Sequence, residues 1–178
     1  MILGIVLIIA VVIAAVLIFA ATKPDAVHVS RSITINAPAD KIFSLIDDFH
    51  NWPRWAPQDK KDPTIKRSYS GAASGDGAIS NWDSTGNAGK GQMIIMESAP
   101  PLKGVGKVVV KVDFVKPFTA HNVNEFTLEP GPSTTVTWTM RGSNLYFMKL
   151  MGIFVNMDRM MGKHFETGLQ NLKAVAES

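Results

Sequence analysis

The first 21 residues run through Met, Ile, Leu, Val, Ala, Gly and Phe without one polar or charged side chain, and only after them does the chain begin to alternate. At about 1.5 Å rise per residue, a helix of Met1 to Ala21 crosses a hydrocarbon core of roughly 30 Å. Fourteen of these residues are Ile, Val, Leu or Phe. Each favours the bilayer by roughly 0.3–0.6 kcal/mol at a helix centre, about 4–8 kcal/mol in sum. A cleaved signal peptide is one rival reading, and it wants a basic leader, a shorter apolar core and small residues at −3 and −1. Here no Lys or Arg precedes the run, and cleavage after Ala20 or Ala21 would put Ile18 or Phe19 at −3. A buried core helix is the other rival. The expectation is an uncleaved transmembrane anchor over residues 1–22, a linker over 23–26 containing Pro24, and one domain over 27–178.

Beyond the linker, Val27, Val29, Ile33 and Ile35 alternate with His28, Ser30, Ser32 and Thr34, which predicts a half-buried strand. Pro38 and Asp40 mark a helix start, and Ile42, Phe43, Leu45 and Ile46 give that helix an apolar face as far as Asp48. Phe49 to Pro57 holds two prolines and two tryptophans, which suits a tight aromatic turn. Short alternating runs separated by Gly and Pro then predict antiparallel strands near 64–70, 77–83, 90–98, 105–116, 119–129 and 133–142. From Asn144 to Ser178 the period changes. Phe147, Leu150, Met151, Phe154, Met157, Met161, Phe165, Leu169, Leu172 and Val175 recur every three or four residues, which predicts one long amphipathic helix. Gly152, Gly162 and Gly168 fall inside it, each costing about 1 kcal/mol of propensity relative to Ala, so close approach of another element is expected there.

Composition narrows the function classes. The formal charge of +3 comes from Lys and Arg scattered singly, with Lys60, Lys61, Lys66 and Arg67 the densest group, so nucleic acid is not an expected partner. No cysteine is present, which removes disulfides and thiolate sites. Lys23, Arg31 and Lys41 follow the apolar run while only the α-amino group precedes it, a bias that places the domain on the cytoplasmic side. The four histidines fall on four different elements without metal-site spacing, and no phosphate loop or nucleophile motif is legible. No cofactor or metal is expected.

Arg31-Ser-Ile-Thr-Ile-Asn-Ala-Pro-Ala-Asp-Lys-Ile-Phe resembles the first strand and helix of bacterial polyketide cyclase/dehydrase-type proteins of the SRPBCC, or START-like (Bet v 1-like), superfamily. Phe49-His-Asn-Trp-Pro-Arg-Trp-Ala-Pro resembles their aromatic turn, and Tyr69-Ser-Gly, Phe126-Thr-Leu-Glu-Pro and Val136-Thr-Trp their later landmarks. The resemblance implies an α+β helix-grip fold: a curved antiparallel sheet wrapped around a long C-terminal helix, with a hydrophobic cavity between them. It also implies a bacterial inner-membrane setting for an anchored member.

Cavity candidates follow from the inward positions: Trp82, Phe114, Trp138 and Met140 from the sheet, and Met151, Phe154, Met157 and Met161 from the helix. Plain core packing is the alternative for each. Asn122 and Asn124 share a face with Phe126 and Leu128, so they either meet a ligand or water in a cavity, or the strand is bulged and exposes them. Asp158, beside the helix stripe, is the carboxylate singled out as a cavity acid; capping, pairing or solvation is its alternative. Asp47 and Asp48 sit adjacent at a helix end and are expected to diverge. Trp52 and Trp55 either contact a ligand or the bilayer interface, or pack the turn against the first helix. The leading expectation is membrane-tethered binding of a hydrophobic small molecule such as a lipid, isoprenoid or polyketide. A cyclase/dehydratase enzyme and an accessory protein-binding module at the membrane are the alternatives.

Overall fold

A computed structural model describes residues 2–102, 104–143, 146–154 and 156–178. The apolar run forms helix α1 (Ile2–Ala21), which is long and apolar enough to cross a membrane. Its Ile, Leu and Val side chains from Ile5 to Ile13 are exposed. The domain follows as β1 (Ala26–Ile35), α2 (Ala39–Asp47), a 3-10 turn (Phe49–Arg54) and α3 (Pro57–Lys61). Six further strands come next: β2 (Lys66–Gly71), β3 (Ala78–Asp83), β4 (Lys90–Ala99), β5 (Gly106–Lys116), β6 (Ala120–Glu129) and β7 (Thr134–Ser143). Two helices, α4 (Tyr146–Phe154) and α5 (Met157–Ala176), complete the chain.

All strands join one antiparallel sheet in the order β1-β7-β6-β5-β4-β3-β2. Strands β2 to β7 are successive neighbours, and β1 crosses over to pair with β7, so the sheet holds both ends of the domain together. The alternation legible in the sequence is realised physically: Val108, Val110, Val112, Phe126, Leu128, Val136, Trp138 and Met140 are all buried on one face. Against that face pack Phe165, Leu169, Leu172 and Ala176 of α5 and the apolar side of α2. Spacings of four, three and four residues put the α5 set on a single helical stripe.

The aromatic turn closes α2. Trp52 Nε1 donates to Ile46 O at 2.8 Å and Trp55 Nε1 donates to Leu45 O at 2.9 Å, so two indoles satisfy carbonyls that the helix end leaves without intrahelical donors. Asp47 and Asp48 do diverge: Asp47 accepts from the Ser98 hydroxyl, whereas Asp48 accepts from His50 N.

The single long helix expected over 144–178 is two helices. Asn144 and Val155 lie outside the described residues, as do the side chains of Phe147, Phe154 and Met157. Asn156 is the N-cap of α5, its Oδ1 accepting from Arg159 N at 2.9 Å, with Asp158 in the first turn. The physical reason for the break is that α4 packs on α1. Tyr146 donates its hydroxyl to Leu17 O, and Lys149 is buried against Asp25. Apolar periodicity runs through both helices, so it conceals the change of partner.

Two glycines of α5 mark close approach. Arg31 lies on the apolar face of β1 and lays its guanidinium over Gly162, where a Cβ would overlap it. From there Nε reaches Glu166 Oε1 at 2.9 Å and Nη2 reaches Asp158 Oδ2 at 3.0 Å. Asp158, Gly162 and Glu166 are one helical turn apart each, so the arginine spans two turns of α5. Gly168 allows the Trp138 ring and Pro57 to sit against the helix backbone. Replacing Gly162 by Ala tests this clasp. Helix propensity alone favours Ala by about 1 kcal/mol, whereas crowding a close-packed contact costs about 1–3 kcal/mol. A net loss of stability in urea unfolding of the detergent-solubilised protein is expected, and a net gain would show that Arg31 does not constrain α5.

Candidate functional site

Between the sheet and the first half of α5 lies a cavity of about 640 Å³, inside the range of roughly 300–1,000 Å³ common for small-molecule sites. Its origin is the break before Asn156. Trp55, Phe126, Trp138, Phe165 and Leu169 fill the space at one end of the sheet. Toward the other end the chain leaves the sheet for α1, and the faces of Trp82, Phe114, Asn122 and Met140 stay open to the void.

The apolar wall comes from alternating positions on adjacent strands: Trp82, Met93, Val112, Phe114, Trp138 and Met140. Trp82 meets Phe114 edge-on at 5.2 Å, and its Nε1 donates to Ala88 O at 3.0 Å, so the ring is fixed from two sides. Trp138 stacks on Phe165 with centroids 4.2 Å apart and planes 7° from parallel. The regular register of β6, with Asn124 opposite Met140, resolves the alternatives for its amides: there is no bulge and both face inward. Asn124 is buried, and its Oδ1 accepts from Trp138 Nε1 at 2.9 Å, which locks the indole that forms the cavity wall.

Seven of the ten positions expected at a ligand cavity line this one: Trp82, Phe114, Asn122, Asn124, Trp138, Met140 and Met161. Three need different accounts. Met151 is exposed on α4, which lies on α1 instead of over the sheet. Phe154 belongs to that same helix, and its side chain is outside the described residues. Asp158 is a correction: its side chain is 60% exposed and bound to Arg31 on the β1 side of α5. Hydrogen bonds from Arg31 hold its carboxyl below the usual carboxylate range, so it is a structural anion and does not serve as a cavity acid.

Sequence reasoning missed the other lining residues for separate reasons. Met93 and Val112 were available from strand alternation, and His164 and Phe165 from their spacing after Met161. Gln58 and Lys61 sit on α3, a helix of five residues with too little periodicity to read. Gln58 Oε1 is buried without a hydrogen-bond partner among the described residues. Arg67 also reaches the cavity, but its charge is neutralised by Asp59 through two bonds of 2.7 and 2.6 Å, with both side chains more than nine-tenths buried. Burial, with Lys61 nearby, lowers the pKa of His164, so it faces the cavity as a neutral ring at pH 7. Trp52, placed by its bond to α2, shows one edge to the cavity as well.

The mouth is shaped by Asp62. This buried carboxylate accepts from Thr64 N and Oγ1, from Ser84 Oγ at 2.6 Å and from Ala88 N at 3.0 Å, tying the end of α3 to the β3–β4 loop. These bonds, the Ser84 hydroxyl first, hold its carboxyl far below the usual carboxylate range. A depressed folded-state pKa stabilises the fold fully above the unfolded value, about 3.9, and the contribution declines as pH falls below that value. The difference in urea midpoint between the parent and Asp62→Asn is therefore expected to be largest near pH 5–7 and to shrink as pH drops below about 4. A difference independent of pH would show that Asp62 is not ionised in the folded protein.

A curved antiparallel sheet gripping a C-terminal helix, with a cavity between the two, defines the helix-grip α+β class. The chain belongs to the polyketide cyclase / dehydrase and lipid transport family, whose profile matches residues 26–177, and with it to the SRPBCC-type superfamily. No curated protein matches it. Among solved structures, it is similar to a hypothetical protein from Helicobacter pylori, at 10% identity and TM-score 0.64 over 89% of this chain and 92% of that one. Major latex-like protein 151 from Panax ginseng is similar at 13% identity and TM-score 0.60, over 87% and 100% of the two chains. The di-domain ARO/CYC protein StfQ of the steffimycin biosynthetic pathway is similar at 12% identity and TM-score 0.64, over 85% of this chain and 51% of that one. The chain thus spans about half of StfQ. At these identities the likeness is one of fold.

Proposed function

We propose that this protein is a membrane-tethered binding protein for a hydrophobic small molecule, held in the cavity between the sheet and α5. The observation that carries the reading is the cavity itself: about 640 Å³ walled by three tryptophans, two phenylalanines, four methionines and a valine, beside a filled core. Close packing elsewhere in the domain contrasts with this open apolar volume, whose walls an apolar guest would remove from water. Methionines suit that role because their flexible thioethers adapt to ligand shape. The family's lipid transport description agrees with the reading. Asn122 and the unpaired Gln58 Oε1 offer polar contacts that orient a mostly apolar guest.

Tethering rests on α1, whose length and composition suit a span. A charged residue at the centre of such a helix costs about 2.5–3.5 kcal/mol on insertion. The double substitution Ile9→Arg and Val11→Arg is expected to move the protein from the carbonate-resistant membrane pellet to the soluble fraction. Retention of the parent protein in the soluble fraction would remove the anchor from the reading.

A cyclase/dehydrase activity is the second reading, favoured by the family and by His164, a neutral imidazole in the cavity wall able to act as a base. One purification separates the two. The full chain is extracted from its native membrane in mild detergent, and its bound small molecules are identified by mass spectrometry. Binding predicts one consistent apolar compound near stoichiometric amount, displaced in Met161→Trp, which fills the void from α5. Recovery of no such compound from the folded protein would overturn the binding reading. A compound chemically altered on standing, with alteration lost in His164→Phe, would favour the enzyme.

A further inference from the structure

We infer that the molecule taken by this cavity is an amphiphile with an anionic end: its chain lies along the aromatic and methionine wall, and its carboxylate or phosphate sits at the mouth between Lys61 and Lys163. The inference rests on the cavity being a binding site and adds the chemistry of the polar end.

The cavity is asymmetric. Its interior is the apolar wall, whereas its exposed lining residues are Lys61 at the end of α3, Asn87 in the β3–β4 loop, and Met160 and Lys163 on α5. Helices α3 and α5 are packed together, so the two lysines belong to adjoining elements on one rim. Among the described residues, no Asp or Glu lines the cavity.

The carboxylates around this rim are already engaged. Asp59 holds Arg67, Asp62 accepts four hydrogen bonds from Thr64, Ser84 and Ala88, and Asp158 and Glu166, the latter one turn from Lys163, both hold Arg31. Lys61 and Lys163 take part in no ion pair among the described residues, so the rim carries uncompensated positive charge over an apolar void. That field is felt inside, since Lys61 is one of the causes that lower the pKa of His164. A fully apolar guest would leave this charge unused. A cationic guest would be repelled, and a zwitterionic one would bring a second charge with no acidic partner on the lining. An anion next to low-dielectric walls gains more from two ammonium groups than it would on an open surface.

The test uses the full chain in a neutral detergent and two fluorescent probes, cis-parinaric acid and its methyl ester, which share a chain and differ in charge. The acid is expected to bind at least tenfold tighter than the ester at low salt, about 1.4 kcal/mol, and the preference should fall as salt rises. The double variants Lys61→Met/Lys163→Met and Lys61→Glu/Lys163→Glu should bring the acid-to-ester ratio to about one and below one, respectively. Lys111→Glu, on the outer face of β5, should leave the ratio unchanged. Displacement of the bound acid by lysophosphatidic acid but not by lysophosphatidylcholine extends the anion to phosphate. Displacement by oleate alone restricts it to carboxylate. Equal binding of acid and ester, with both lost in Met161→Trp, would overturn the anionic end and leave the apolar cavity standing. Binding of neither probe, or binding indifferent to Met161→Trp, would overturn both.

Discussion

The grip of the sheet on α5 at Trp138 is the contact on which the rest of this structure depends. The indole stacks face to face on Phe165, is held at its nitrogen by Asn124, and approaches the helix backbone where Gly168 leaves out a side chain. These constraints act on one ring and fix it from three directions. The same ring borders the filled core on one side and the void on the other, so it separates the packed part of the domain from the open part. Arg31 adds a second clasp at Gly162, an ionic one on the outer flank, and together the two glycines set the height at which α5 crosses the sheet.

The cavity is a consequence of where α5 begins. Had the helix continued toward the N-terminus over the sheet, its Met and Phe stripe would have filled the space above Phe114 and Asn122. Capping by Asn156 starts α5 there, and α4 packs on α1 instead. Helix α1 and the cavity are thus connected through one element: α4 packs on α1, and the sheet is left uncovered there. Register adds a spatial correlate. Ala26, where the chain leaves the linker, pairs with Ser143, and the same end of the sheet carries Asn122 and Phe114. The open end of the domain is therefore the end nearest α1.

The polar groups of the domain divide by function along the same line. Asp62, Asp59, Asp158 and Glu166 each hold structure together, tying loops to helices or a strand to α5. None faces the void. What faces it besides carbon is amide, imidazole, hydroxyl, the paired Arg67 guanidinium and ammonium, a set suited to orienting a guest and without a carboxylate among the described residues. Acidic residues are thus consumed by the architecture, and the lining is left with the basic ones.

Local pattern was enough for much of this. Period-two alternation located β1 and β3 to β7 to within a residue or two, with β2 starting slightly later than expected, and it placed Trp82, Phe114, Asn122, Asn124, Trp138 and Met140 on one face, because a strand's side chains report the face directly. The uninterrupted apolar run located α1 for a similar reason: composition over that length leaves little alternative to a helix. Asp158, Met151 and the break at Asn156 were not legible from periodicity, since a helical stripe records that a residue is buried or paired but not against what. Whether that stripe meets the sheet, α1 or Arg31 is decided by elements far away in the chain. Residue pattern alone is enough to say which faces are apolar and in what order the strands and helices follow one another. The tertiary structure alone decided which of those faces meet, and hence that a void with a basic rim remains where two of them part.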